Sequence, residues 1–257
     1  MSKLRLLWVC LFILLSETML AQIKVAPERN EGEGPYTQLI IRGATLINGT
    51  GAPAIGPVDI VIENNRITKI VTVGAEGAPV NASRRPKLAA NGKEIDATGL
   101  FALPGLIDMH THIGGVEQGT PAEYVYKLWM AHGITTVRDV STGNGLSWVL
   151  SEKKRSIENK IIAPRIYAYT AFGQGAKKPI ITKQDAIDWV NENAKNGADG
   201  IKFFGAAPEI MEAAIRENKR LGLRSCAHHA QTDVARWNVL NSAKAGMTSM
   251  EHWYGLP

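Results

Sequence analysis

The chain has 257 residues, 45% of them apolar, with a formal net charge of +5. Such a length and composition describe a globular chain with a sizeable core, arranged as one large domain or as one large and one small. The basic residues are dispersed, with only short runs at Arg84-Arg85 and Lys153-Lys154-Arg155, so the charge reads as solvated faces and not as a nucleic-acid groove.

Taken in chain order, Lys3 and Arg5 precede an apolar stretch, Leu6 to Leu15, that is too short to span a bilayer comfortably. Met19-Leu20-Ala21 places a small residue at a cleavage point. Residues 1–21 therefore read as a signal peptide. The mature protein is expected to be exported, periplasmic or secreted, with no stable membrane anchor after cleavage. Cys10 leaves with the signal, so the mature chain has no internal disulfide, and Cys226 reads as a small buried apolar residue.

Residues 22–99 show short alternating runs broken by turn residues. Leu39-Ile40-Ile41-Arg42, Ala44-Thr45-Leu46-Ile47, Val58–Ile62 and Ile67–Val71 read as strands, with Asn64-Asn65-Arg66 as a turn. Gly74 to Asn91 is loop-rich, and Glu94-Ile95-Asp96 is a short strand. This part is expected to form an N-terminal antiparallel β-sandwich module.

After Leu100 the pattern changes to alternating strand and helix. The strands fall at Leu103–Met109, Ile134–Val140, Arg165–Tyr169, Ala198–Phe204, Leu223–His228 and Met247–Glu251. The helices fall at Pro121–His132, with Thr120 as N-cap, and at Ser147–Asn159, Lys183–Asn196, Pro208–Leu221 and Thr232–Ala245. Such a run builds a parallel sheet covered by helices. No G-x-G-x-x-G follows the first strand, which argues against a dinucleotide fold. The fold class is thus α/β, a (β/α)8 TIM barrel over residues 100–257 represented by its first six strands.

In such a barrel the active site lies at the C-terminal ends of the strands. Five of the six histidines fall at such ends: His110 and His112 on the first strand, His228 and His229 on the fifth, His252 on the sixth. Strand side chains alternate, so His110 and His112 share a face and form half of a divalent-metal site. Lys202 lies in the apolar fourth strand, where burial lowers a lysine pKa and frees the amine to add CO2 as a carbamate. His132 alone lies elsewhere, at a helix C-terminus, where a cation suits the helix dipole.

These residues resemble the amidohydrolase superfamily of metal-dependent hydrolases, in its imidazolonepropionase-like and Xaa-Pro dipeptidase-like branch. The likeness rests on Leu103-Pro104-Gly105-Leu106-Ile107-Asp108-Met109-His110-Thr111-His112, Gly133–Asp139, Gly197–Lys202, His229-Ala230 and Ala245–His252. It implies His110, His112, Lys202, His229 and His252 as metal ligands. His229 is preferred to His228 because the family's ligand is followed by alanine. It further implies two divalent metals, zinc before manganese, cobalt or iron, bridged by carboxylated Lys202. The reaction implied is hydrolysis of an amide-type C–N bond of a small molecule or short peptide by metal-activated hydroxide. A lactonase or phosphotriesterase, a deaminase, or a non-catalytic remnant are the alternatives. Deaminases of the superfamily carry His-x-Gly-Glu where this chain has His229-Ala230-Gln231. The family's general-base aspartate follows an eighth strand. It is expected beyond Pro257, in a longer protein of which this chain would be a fragment. Asn144, Phe172, Gln174 and Tyr254 are pocket candidates by position, and homo-oligomerisation is left open.

Overall fold

The structure, a computed structural model, describes residues 25–114, 120–141, 143–230, 232 and 234–256. The expected signal peptide at 1–21, Gln231 and the expected aspartate beyond Pro257 all lie outside the described residues. The chain divides into two compact units, one of residues 30–106 and one of the remainder.

The smaller unit contains β1 (Gln38–Leu46), β2 (Ile55–Glu63), β3 (Arg66–Thr72), β4 (Lys93–Asp96) and β5 (Phe101–Ala102). β1, β2 and β3 form the expected antiparallel meander, but β4 and β5 pair parallel with β1. Where an antiparallel sandwich was expected, the described residues form one mixed five-stranded sheet. The reason is the strand-free stretch after β3, whose one regular feature is a 3-10 turn at Ala82–Arg84. The chain recrosses through it and adds to the free edge of β1. Asp59, fully buried, anchors this sheet: it accepts hydrogen bonds from the Gly43 amide (2.9 Å) and from Arg42 Nη1 (2.9 Å). Gly43 has φ +72° at a register shift between Ile41 and Ala44. There a β-bulge needs left-handed backbone, and a side chain would meet Thr98 Oγ1 at 2.9 Å.

The larger unit runs β6 (Leu106–Thr111), α1 (Ala122–Ala131), β7 (Ile134–Asp139), α2 (Leu146–Ile157), β8 (Arg165–Ala171), α3 (Lys183–Lys195), β9 (Gly200–Phe203), α4 (Pro208–Arg220), β10 (Arg224–His228), α5 (Val239–Ala245) and β11 (Ser249–Glu251). Its six strands lie side by side in chain order, with β7 to β11 pairing parallel. The sheet curves until side chains of β6 and β11 touch, a nearly closed barrel wall.

Strand alternation sorts the side chains. Ile201, Phe203 and Ala227 point outward and pack with Trp189, Met211 and Ile215 of α3 and α4. Val137, Ile166 and Ala168 pack with Tyr126 and Val149 of α1 and α2. Val140, Tyr169 and Cys226 meet inside. Gly200 leaves room for Tyr169, whose ring would lie 2.4 Å from a Cβ at that position.

Two helix starts differ from expectation. Pro121 is extended and takes the N-cap position of α1, so Thr120 stands outside the helix and is not its cap. α5 begins at Val239 and not at Thr232, because the Asn238 side chain accepts from the Leu240 and Asn241 amides and sets a capping box there.

Asp59→Ala leaves the Arg42 guanidinium without its buried partner. It should cost the smaller unit about 3–5 kcal/mol, read as accelerated amide exchange across residues 38–72. Unaltered protection there would show that the carboxylate does not anchor the sheet.

Candidate metal centre at the barrel mouth

His110 and His112 project from the inner face of β6 and its continuation, with ring centroids 5.3 Å apart. His112 Nδ1–H donates to the Ser141 carbonyl at 2.6 Å. His110 Nδ1 lies 2.5 Å from Glu251 Oε2. The His252 ring stands 4.9 Å from His110 and 4.8 Å from His228. Tyr254 completes the row, 5.1 Å from His228 and 5.3 Å from His252. Four imidazoles therefore form a continuous line across one end of the barrel.

Lys202 sits on the inner face of β9, 1% exposed, opposite Cys226 in register. Its Nζ lies 5.4 Å from the Phe204 ring centroid and makes no hydrogen bond among the described residues. Burial pulls this amine below the ordinary lysine value, with Arg138 adding to the effect against Cys226 and Glu251. The His110 and His228 rings are likewise pushed below the usual imidazole value, first by burial and in part by the charge of Lys202.

His229 does not join the row, contrary to the expectation that favoured it over His228. β10 ends at His228 with Cys226 and His228 facing inward, so the next side chain must face outward. His229 is 3% exposed, its Nε2 2.7 Å from Ser242 Oγ, a group that also accepts from Trp237 Nε1. Its ring presses on Gly255, where a Cβ would come within 2.5 Å. The structure thus places His110, His112, His252 and Lys202 on the inner side of the wall together with His228, and His229 on the outer side.

His252 reaches the mouth by a different device. Ser249 and Glu251 face inward on β11, so simple alternation would turn His252 away. Its φ of +62° reverses the chain and brings the ring back. Among the described residues, four non-glycine positions have positive φ: Asn64, Ser141, Asn159 and His252. The two asparagines sit in turns, where such backbone is tolerated. The other two belong to this site, which is where stored backbone strain tends to collect.

Sequence reasoning missed Arg138 and Glu251. The Arg138 guanidinium donates to Glu251 Oε1 (2.5 Å), Ser249 Oγ (2.9 Å) and the Met109 carbonyl (2.6 Å), and lies over the Tyr169 ring. Burial alone would raise the Glu251 pKa, yet His110, Arg138 and Ser249 together hold it below the usual carboxylate range. The available signal was a charge in the buried strand Thr136-Val137-Arg138-Asp139, which requires a partner. Of the pocket candidates, Tyr254 lies at the site. Phe172 is core packing against Trp189 and Phe203, and the Gln174 carbonyl accepts from Trp189 Nε1. Among the described residues, no three His, Cys, Asp or Glu side chains converge closely enough to grip an ion as they stand.

A model of the amidohydrolase family matches residues 101–256. The chain belongs to this family. As an amidohydrolase family member it is 33% identical over 121 residues to adenine deaminase 2 of Rhizobium etli, covering 41% of this chain and 20% of that protein. It is 25% identical over 209 residues to the dihydroorotase of a Thermoanaerobacter species, covering 80% of this chain and 44% of that protein. Its fold is that of a Xaa-Pro dipeptidase crystallised with bound methionine, with a TM-score of 0.61 and 22% identity over 84% of this chain and 61% of the other. The chain spans less than half the length of these two curated relatives.

Asp139, on the outer face of β7, is fully buried. Its Oδ1 accepts from the Ser141 amide at 3.3 Å, while Oδ2 has no partner among the described residues. Burial raises its pKa from 3.8 to about 7, against the pull of backbone hydrogen bonds from Ser141 and Ile113. The folded chain therefore keeps a proton that the unfolded chain loses, so this group's contribution to stability falls as pH rises from about 4 to about 7 and is flat above. Asp139→Asn should remove that slope. The melting temperature of the variant minus that of the parent is expected to be larger at pH 8 than at pH 5.5, and a pH-independent difference would refute the assignment.

Proposed function

We propose that the barrel mouth is a divalent-metal hydrolase site acting on amide-type C–N bonds of small molecules or short peptides. The observation that carries this reading is the line of four imidazoles, His112, His110, His252 and His228, beside the buried amine of Lys202. The donor set has the right chemistry: neutral imidazoles suit zinc and also manganese, cobalt or iron. Its fit can be tested on His112. A carbonyl only accepts, so the bond to Ser141 places the proton on Nδ1 and leaves the Nε2 lone pair free, the arrangement usual for a metal-ligating histidine. His228 and His252 make no ring-nitrogen hydrogen bond among the described residues, so both are open to a ligand.

In this reading His110 and His112 hold one cation, and His228 and His252 hold a second. Lys202 would supply the anionic ligand: its uncharged nitrogen would add CO2 with release of one proton to solvent, giving a carbamate that can bind divalent metal. When bound, such cations supply Lewis acidity for polarising a carbonyl and acidifying water. Tyr254 offers a phenol beside His228 and His252 with which to orient a substrate. Arg138 and Glu251 form a buried ion pair beside His110. A basic start followed by the apolar run Leu6 to Leu15 supports export of this activity.

Relatives named as deaminases make removal of an amino group from a base the second reading. The stretch His228-His229-Ala230-Gln231-Thr232, read from either histidine, lacks the acidic residue that the family's deaminases place there, and that favours hydrolysis of amides.

The test is metal content together with a substrate screen on the full-length protein. Purified protein is expected to carry divalent metal, to lose activity on chelation and to regain it with zinc or cobalt. The joint change of His110 and His112 to alanine should empty the site, as should Lys202→Ala. His228→Ala should lose metal, whereas His229→Ala should retain it and lose stability instead. Full metal content after loss of both His110 and His112 would end this reading. Release of ammonia from adenine, with no cleavage of dipeptides or cyclic amides, would move the assignment to deamination.

A further inference from the structure

We infer that Glu251, held by Arg138, is a positioning residue that fixes the tautomer of His110 and turns its Nε2 lone pair into the mouth. The purpose of the device rests on the metal reading above, while its geometry does not.

Arg138 is a donor with no acceptor atoms. Its guanidinium is spread over three fixed points: the Met109 carbonyl, Ser249 Oγ and Glu251 Oε1. Met109 directly precedes His110, so one end of the fork is tied to the backbone that carries the ring. The other end occupies Oε1, which also accepts from Ser249 Oγ at 3.0 Å. Only Oε2 is left, and it lies 2.5 Å from His110 Nδ1. A carboxylate accepts, so Nδ1 must carry the hydrogen, and the neutral ring then has its lone pair on Nε2. His110 and His112 thereby reach the same tautomer by different means, one through a charged side chain and the other through a backbone carbonyl.

The arrangement predicts an inversion. In Glu251→Gln, Arg138 and Ser249 still donate toward the inner atom, so the amide oxygen must face them. The amide NH2 then faces His110 Nδ1, which can meet it only as an acceptor. The proton moves to Nε2, and the lone pair is withdrawn from the mouth. The substitution conserves shape, so packing alone gives no reason for this change.

The experiment uses the full chain, stripped with a chelator and labelled with nitrogen-15 at histidine. Long-range proton–nitrogen correlations read the tautomer of each ring, and His110 is identified by its loss in His110→Asn. The parent should show His110 protonated on Nδ1. Glu251→Gln should show His110 protonated on Nε2, with His112 unchanged, and uptake of zinc or cobalt should weaken by about 10–100-fold. Finding His110 protonated on Nε2 in the parent would overturn the inference, whether or not the variant folds. So would an unchanged His110 tautomer in a folded Glu251→Gln chain. A tautomer that inverts as stated in a chain taking up neither zinc nor cobalt would support this inference and refute the metal reading.

Discussion

The ion pair of Arg138 with Glu251 is 2.5 Å long, and both side chains are 6% exposed. A buried pair recovers little net stability, because removing two charges from water costs about as much as their attraction returns. What it supplies here is position. The guanidinium joins β7 to β11 through Glu251 and Ser249, and to β6 through the Met109 carbonyl. The placement of His110 and His252 at the barrel mouth follows from those three strands, while β9 and β10 bring Lys202 and His228.

Along these strands, a period of two does most of the sorting. Inward-facing Arg138, Lys202, Cys226, His228, Ser249 and Glu251 alternate with outward-facing Val137, Ile201, Phe203 and Ala227. Polar chemistry is thereby separated from the helix-facing core, with buried Asp139 as the exception on β7. Alternation fails at two places, and both carry positive φ: Ser141, which turns a carbonyl toward His112, and His252, which folds its ring back over the opening. The strain at each is local, and a site function accounts for it better than packing does.

The legibility of the sequence follows the range of the interactions. The β/α succession, the six strands and the shared face of His110 and His112 are local patterns and could be read directly. So could the burial of Lys202, since apolar residues flank it on both sides. The choice between His228 and His229 could not be made from the residue that follows. Which ring faces inward depends on where β10 ends, and counting from the inward-facing Cys226 points to His228. The parallel addition of β4 and β5 to β1 is a long-range pairing with no local mark. The late start of α5 was visible in principle, since Asn238 and Asn241 have capping-box spacing, but the periodicity of the preceding residues masked it. Arg138 and Glu251 lie 113 residues apart, and nothing near either one names the other.

Adjacent His228 and His229 face opposite sides of the same wall, one ring in the open row and one wedged between Ser242 and Gly255. A slide of β10 by a single residue against its neighbours would exchange the two imidazoles and would also turn every other β10 side chain to the opposite face, Cys226 outward and Ala227 inward. The backbone has little means of detecting such an error. Discrimination comes from the inverted pattern and from volume: a Cβ at Gly200 would lie 2.4 Å from the Tyr169 ring, and one at Gly255 would lie 2.5 Å from the His229 ring. The smallest residues in this half of the protein thus act as gauges of alignment, and an enlargement at Gly255 would be felt first as a displaced His229 ring.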